Sequence, residues 1–204
     1  MSSDEVKNIW NNRYEKKSYV YGTRANDFLR QSAHLIPRGN VLCLGEGEGR
    51  NAVFLARRKY QVTAVDISEE GLRKANRLAK NNGVKIETVC SDLRDYSIGE
   101  ASWQGVVSVF CHIPTDLRKT IYQRVITGLA PGGIFLLESY TPEQLKYRSG
   151  GPQDEDMLVT LSELKTELKD LNFLHGIEKV RIVREGRLHT GEAAVVQLIA
   201  QKPR

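Results

Sequence analysis

Gly45, Gly47 and Gly49 stand at alternate positions between an apolar run, Val41-Leu42-Cys43-Leu44, and a helix-like segment that begins near Asn51. Glycine lets the backbone turn sharply there and lets a ligand lie against the main chain. Free N–H groups at the start of the following helix suit a carboxylate or phosphate. A second apolar run, Gln61–Val65, ends at Asp66, whose carboxylate can take two ribose hydroxyls at once. The plainer role for Asp66 is a place before a helix, with Ser68 and the acids after it forming the cap. A third run ends in Ser91-Asp92-Leu93, which can offer a carboxylate to an adenine amino group and a backbone N–H to a ring nitrogen.

Such residues must be held at strand ends. Short apolar runs at Asn40–Leu44, Gln61–Val65, Ile86–Cys90, Gly105–Phe110 and Gly133–Glu138 alternate with helix-like stretches at Asn51–Arg58, Glu69–Asn82, Thr115–Leu129 and Leu161–Leu171. That alternation predicts an α/β fold: a doubly wound, mostly parallel, Rossmann-like seven-stranded sheet with helices on both faces. Gly176–Val183 and Ala193–Ala200 have no helix between them and should close the sheet as an antiparallel hairpin. Residues 1–204 read as one domain, with a helical arm over 1–38 and a cofactor-binding core over 39–204.

The 204 residues are 40% hydrophobic and 27% charged, the balance of a soluble globular chain. No apolar run is long enough to cross a bilayer, and the N-terminus MSSDEVKNIWNNRYEKK is too polar for a secretory signal. A cytoplasmic location and no membrane partner are the expectations. The net charge of +5 is spread along the chain rather than gathered in a run, which disfavours a nucleic-acid partner and suits small anionic substrates. Cys43, Cys90 and Cys111 fit no metal spacing, and no metal is expected. All three read as buried, reduced thiols.

Two cofactor classes fit the loop. Gly47-x-Gly49-x-x-Ala52 matches a dinucleotide fingerprint, and Gly45-x-Gly47-x-Gly49 matches one for S-adenosylmethionine. Asp92-Leu93, the tight turn Ala130-Pro131-Gly132-Gly133 and the terminal hairpin favour the second. The stretch VLCLGEGEGRNAVFLARRKYQVTAVD, Val41 to Asp66, resembles the first two motifs of class I S-adenosylmethionine-dependent methyltransferases. Its Gly-Arg-Asn-Ala followed by Leu-Ala is similar to the tellurite-resistance branch, which also resembles the thiopurine methyltransferases. The resemblance covers roughly residues 10–200. It implies that Gly45, Gly47 and Gly49 border the methionine part of the cofactor. Asp66 and its neighbour Ile67 would hold the ribose, and Asp92 and Leu93 the adenine. Many members carry an acid where this chain has Cys43, so Glu46 or Glu48 would supply charge toward the cofactor's ammonium group. The resemblance also suggests that the N-terminal arm folds over the cofactor, with Tyr21-Gly22 as its lid.

Methyl transfer from a sulfonium is an in-line displacement that mainly needs alignment in a dry site. Phe110-Cys111-His112-Ile113-Pro114 closes the fourth strand at the ligand end of the sheet. Phe110 or Cys111 would line the sulfonium side through backbone groups. His112 is the candidate base or orienting group, or else a strand cap through its ring nitrogens. Glu138, ending the fifth strand, could bind a cationic substrate or pair with an arginine. Residues 141–152 could cover the acceptor or be a plain surface connection. His189, in the hairpin turn, is either solvated or part of the site. Trp10 and Tyr14 share a helix face and read as packing residues.

The expected activity is methyl transfer to a small-molecule nucleophile, with a thiol, selenium or tellurium compound as the resemblance-based acceptor. The chain would act as a monomer or weak homodimer. RNA or protein methylation, a non-catalytic cofactor-binding adaptor and dinucleotide chemistry are the competing readings.

Overall fold

The computed structural model describes residues 2–204. Helix α1 (Ser3–Tyr14) starts in a capping box, in which the Ser2 hydroxyl and the Glu5 side chain take each other's backbone N–H groups. After an irregular stretch comes the short α2 (Asp27–Ser32). The core follows as β1 (Asn40–Leu44), α3 (Arg50–Arg57), β2 (Gln61–Asp66), α4 (Glu69–Asn81), β3 (Glu87–Cys90), β4 (Trp103–Val109), α5 (Thr115–Gly128), β5 (Leu129–Tyr140), α6 (Leu161–Glu167), β6 (Asn172–Arg184) and β7 (Thr190–Gln201).

The seven strands lie in the order β3-β2-β1-β4-β5-β7-β6. β1 to β5 are mutually parallel, and β7 runs antiparallel to both β5 and β6. This is the expected doubly wound sheet closed by a hairpin. The order reverses between β1 and β4, which opens a crevice beyond their carboxyl ends.

Strand alternation builds the two faces. Val41 and Cys43 of β1 enter one apolar cluster with Leu29, Ala52 and Leu55. Leu42 and Leu44 enter the other with Ile121, Val125, Leu164 and Leu168. Leu42 and Leu55 are fully enclosed, and each such side chain contributes roughly 2 kcal/mol of burial.

Several bounds differ from the sequence reading. β5 begins at Leu129 rather than Gly133, because Leu129 already pairs with Trp103 before the Pro131-Gly132 turn shifts the register to Gly105↔Ile134. The terminal strands are longer than expected, at 13 and 12 residues. Helix α6 stops at Glu167, four residues early. The cysteines also differ. Cys43 is buried, but Cys90 is exposed at the end of β3, the sheet's edge strand, and Cys111 is intermediate. Among the described residues no helix is long and apolar enough to cross a membrane.

Candidate active site

The glycine loop joins β1 to α3 across the switch point. Gly45, Gly47 and Gly49 all have positive φ, at 58°, 61° and 88°. A Cβ on Gly45 would sit 2.5 Å from the Cys111 sulfur, and one on Gly47 would sit 2.6 Å from the Tyr14 hydroxyl. The loop is therefore pressed between the end of β4 and the N-terminal arm.

The carboxylates around the loop have separate tasks. Glu46 Oε1 accepts the N–H groups of Asn51 (2.9 Å) and Ala52 (2.8 Å), so it caps α3. Burial raises its carboxyl to about 7, against the pull of those N–H groups and of Arg50. It also lies against the buried Cys43 thiol, whose acidity burial suppresses. Glu46 thus brings a carboxylate from the loop against position 43. Glu48 turns the other way: its Oε2 accepts Val20 N–H (2.7 Å) and Tyr21 N–H (3.2 Å), and its Oε1 pairs with Lys74.

Asp66 ties the glycine loop to the start of α4. Its Oδ2 accepts Gly47 N–H at 2.7 Å and faces the loop, while Oδ1 accepts Ser68 N–H at 2.8 Å. Ser68 itself caps α4 through Gly71 N–H. Burial lifts the Asp66 carboxyl to about 6, restrained by the Ser68, Gly47 and Ile67 backbone N–H groups. Asp92 accepts the Ser3 hydroxyl (2.5 Å) on Oδ2 and Arg94 N–H (2.9 Å) on Oδ1. The Leu93 carbonyl is held by Arg124 (3.2 Å). Helix α1 thus spans the ligand end of β2 and β3, with Ser3 on Asp92, Asn11 on Ser68 (2.7 Å) and Tyr14 against Gly47. Trp10 and Tyr14 stack at 5.6 Å, as their spacing predicted.

On the reaction side, Phe110 follows β4 with φ +53°, an uncommon conformation for an aromatic residue. Its ring packs against Tyr140 (4.6 Å) and His189 (4.9 Å). His112 stacks on Tyr140 at 5.3 Å, and His189 packs on Tyr21 at 4.6 Å. His112 does not cap its own strand: neither ring nitrogen makes a well-formed hydrogen bond, and the backbone beside it is that of Met157. Burial pushes its imidazole down to about 4, with the Met157 backbone pulling the other way. His189 belongs to the site rather than to a solvated turn. It is 6% exposed, and burial with Arg50, His112, Arg13 and Arg181 nearby keeps it neutral. Residues 141–152 do cover this cluster: added Cβ atoms on Gly150 and Gly151 would meet the His189 and Tyr140 rings at 2.8 Å and 2.7 Å.

Glu138 is fully enclosed and takes the second of its two expected roles. Arg181 grips it with two bonds of 2.7 and 2.8 Å, and Asn26 and Gln197 complete its shell. Glu185 is held by Arg50 (2.6 Å), Arg181 (2.9 Å) and Asn26 (2.9 Å). Sequence reasoning gave no role to Arg50, Tyr140, Asn26, Arg181 or Glu185. Only Arg50 carried a local signal, since it directly follows Gly49; the others meet through long-range strand pairing.

The alternating glycines, each pressed close by a neighbour, and the inward carboxylate of Asp66 fit an adenosyl cofactor. A family model described as a methyltransferase domain matches residues 41–133. The carboxy-S-adenosyl-L-methionine synthase of Shewanella pealeana is 25% identical over 177 residues, covering 83% of this chain and 69% of that one. The Pseudoalteromonas atlantica enzyme of the same name is 34% identical over 130 residues, covering 60% and 50%. The chain spans only 44% of the Shewanella frigidimarina relative. Among solved structures, TehB from Haemophilus influenzae superposes with TM-score 0.71 at 21% identity, over 96% of this chain and 66% of that one. A methyltransferase from Methanosarcina mazei gives 0.70 at 20%, over 88% and 99%. The chain therefore has the fold of these methyltransferase structures and is similar over residues 41–133 to a methyltransferase domain.

Proposed function

We propose that the protein transfers the methyl group of S-adenosylmethionine to a small-molecule nucleophile. One observation carries this reading: five buried polar atoms without partners beside the glycine loop. They are Arg50 Nη1, His112 Nδ1 and Nε2, Tyr140 OH and His189 Nδ1. Buried polar groups are normally satisfied, so such a cluster marks a place built for another molecule. Arm, hairpin turn and the 141–152 segment roof it over, which suits a small acceptor better than a polymer.

Gly45, Gly47 and Gly49 would border the methionine part, Asp66 with Ile67 the ribose, and Asp92 with Leu93 the adenine. Glu46 would set the charge of the loop, and Tyr21 and Phe110 would close the sulfonium side. Bound S-adenosylmethionine supplies an electrophilic methyl group. The chain's residues align the acceptor, exclude water and, for an acceptor that enters protonated, offer neutral His112 or His189 as the base. Glu138 positions the site through Arg181 and Asn26. The finer placement, in the tellurite-resistance and thiopurine methyltransferase-like branch with a thiol, selenium or tellurium acceptor, rests on the Gly-Arg-Asn-Ala motif. A cytoplasmic protein, monomeric or weakly dimeric, goes with it.

A screen of small thiols, selenite and tellurite with methyl-labelled donor tests the reading. Label in a small product supports it; label only in added RNA or protein overturns it. The relatives named carboxy-S-adenosyl-L-methionine synthases give a second reading, in which the cofactor itself is altered. Mass spectrometry of the spent cofactor separates the two, since methyl transfer leaves the demethylated form.

A further inference from the structure

We infer that the acceptor is a small acid, anchored by its oxyanion on Arg50 and bordered by the aromatic cluster of the site. This rests on the methyltransferase reading and names the substrate class for it.

Hydrogen-bonding capacity in this corner is left unfilled on one side only. Glu138 and Glu185 are the two carboxylates of this corner, and all four of their oxygens already accept hydrogen bonds. Glu138 Oε1 takes Arg181 and Gln197, and its Oε2 takes Arg181 and Asn26. Glu185 Oε1 takes Asn26 and Arg181, and its Oε2 takes Arg50 Nη2. No oxygen of these two carboxylates is left over. What is left over are donors: Arg50 Nη1, which can only donate, with Tyr140 OH and the histidine nitrogens, which can do so. A ligand that satisfies them must bring acceptor oxygens.

Charge points the same way. Arg50 and Arg181 balance Glu138 and Glu185, and Arg13 adds a cation with no carboxylate partner, bonded to the Tyr21 hydroxyl (3.1 Å). An anion entering beside Arg50 meets guanidinium groups, whereas the carboxylates Glu138 and Glu185 are already taken by arginines. Burying an ion is tolerable only with such a partner in place. Phe110, Tyr140, Tyr21 and the two imidazoles pack on one another, with ring centroids 4.6 to 5.5 Å apart, and present one aromatic cluster to a ligand held by Arg50. Planar acids fit such surfaces best.

Calorimetry on the protein saturated with S-adenosylhomocysteine tests this, with benzoate and cinnamate against benzamide and cinnamamide. The acids should bind about tenfold more tightly than their amides, as expected for a charge-assisted anchor. R50Q should abolish that preference and R50K should keep part of it. Should R50Q not fold, Y140F serves, lowering acid affinity and leaving the amides unchanged. Amides that bind as well as the acids, or acids that fail to bind at all, overturn the inference. Failure of S-adenosylhomocysteine itself to bind strikes instead at the methyltransferase reading.

Discussion

Lys74 and Glu48 form an ion pair whose side chains are only 1% and 2% exposed. The ammonium also donates to the carbonyls of Tyr14 (3.2 Å), Lys16 (2.8 Å) and Ser18 (2.7 Å). The carboxylate meanwhile holds the Val20 and Tyr21 N–H groups. A residue of α4 and a residue of the glycine loop thus fix the base of the arm that carries Tyr14 and Tyr21. Truncating one partner leaves the other charged and buried. Lys74→Met is expected to cost roughly 3–5 kcal/mol in denaturant unfolding. Lys74→Met with Glu48→Gln should recover part of that loss; a double variant worse than the sum of the singles would refute the pairing.

Glu46 makes stability pH-dependent. Its carboxyl rises from 4.5 to about 7 on folding, so the fold favours the protonated form. That contribution is complete below pH 4.5 and is lost as pH climbs through 7, because the native state binds the extra proton in between. Unfolding free energy should therefore fall by roughly 3 kcal/mol between about pH 5 and 8 from this group. Glu46→Gln should flatten the profile; an unchanged slope would rule out Glu46 as the source.

In its proposed ribose role, Asp66 would tie pH to cofactor affinity. Its carboxyl sits at about 6, and ribose hydroxyls need the ionised form as acceptor. S-adenosylhomocysteine should bind progressively more weakly below pH 6, losing about tenfold per pH unit. Asp66→Asn should weaken binding at pH 8 and erase this pH dependence. Wild-type affinity independent of pH between 5 and 8 would remove Asp66 from the ribose role.

Gly49 and Gly47 separate packing from lid. A Cβ on Gly49 would meet Ala75 at 2.5 Å (Cβ) and 2.7 Å (Cα), at φ +88°. Gly49→Ala should cost about 3 kcal/mol or more, since the two helices cannot part freely. Gly47→Ala strikes the tip of Tyr14, which can swing, and should cost nearer 1–2 kcal/mol. Thermal unfolding that ranks them in the opposite order would contradict this geometry.

Glu138 behaves as a positioning group. Glu138→Gln should lower stability by roughly 3 kcal/mol through loss of the enclosed Arg181 pair. Arg181→Met should cost a similar amount, and the double variant little more than either. Additive losses would place the two residues in separate networks.

Periodicity and glycine chemistry made the sheet, the hairpin and the glycine loop legible in the sequence. Gly45, Gly47, Gly49 and Asp66 act locally, through turns and strand ends, so their spacing carries the information. The reaction side was only half legible. His112 and His189 were visible as candidates, but Arg50, Tyr140 and the Glu138–Arg181–Glu185 group depend on β5, β7 and β6 lying side by side, up to 135 residues apart for Arg50 and Glu185. The Cys90 exposure was missed because an apolar strand reads as buried, whereas β3 lies at the sheet edge.

The most direct test of the account is titration calorimetry with S-adenosylhomocysteine. The account predicts one site per chain with micromolar affinity for the wild type and at least about tenfold weaker binding for Asp66→Asn at pH 8. No binding to the wild type, or equal binding to both, would contradict it.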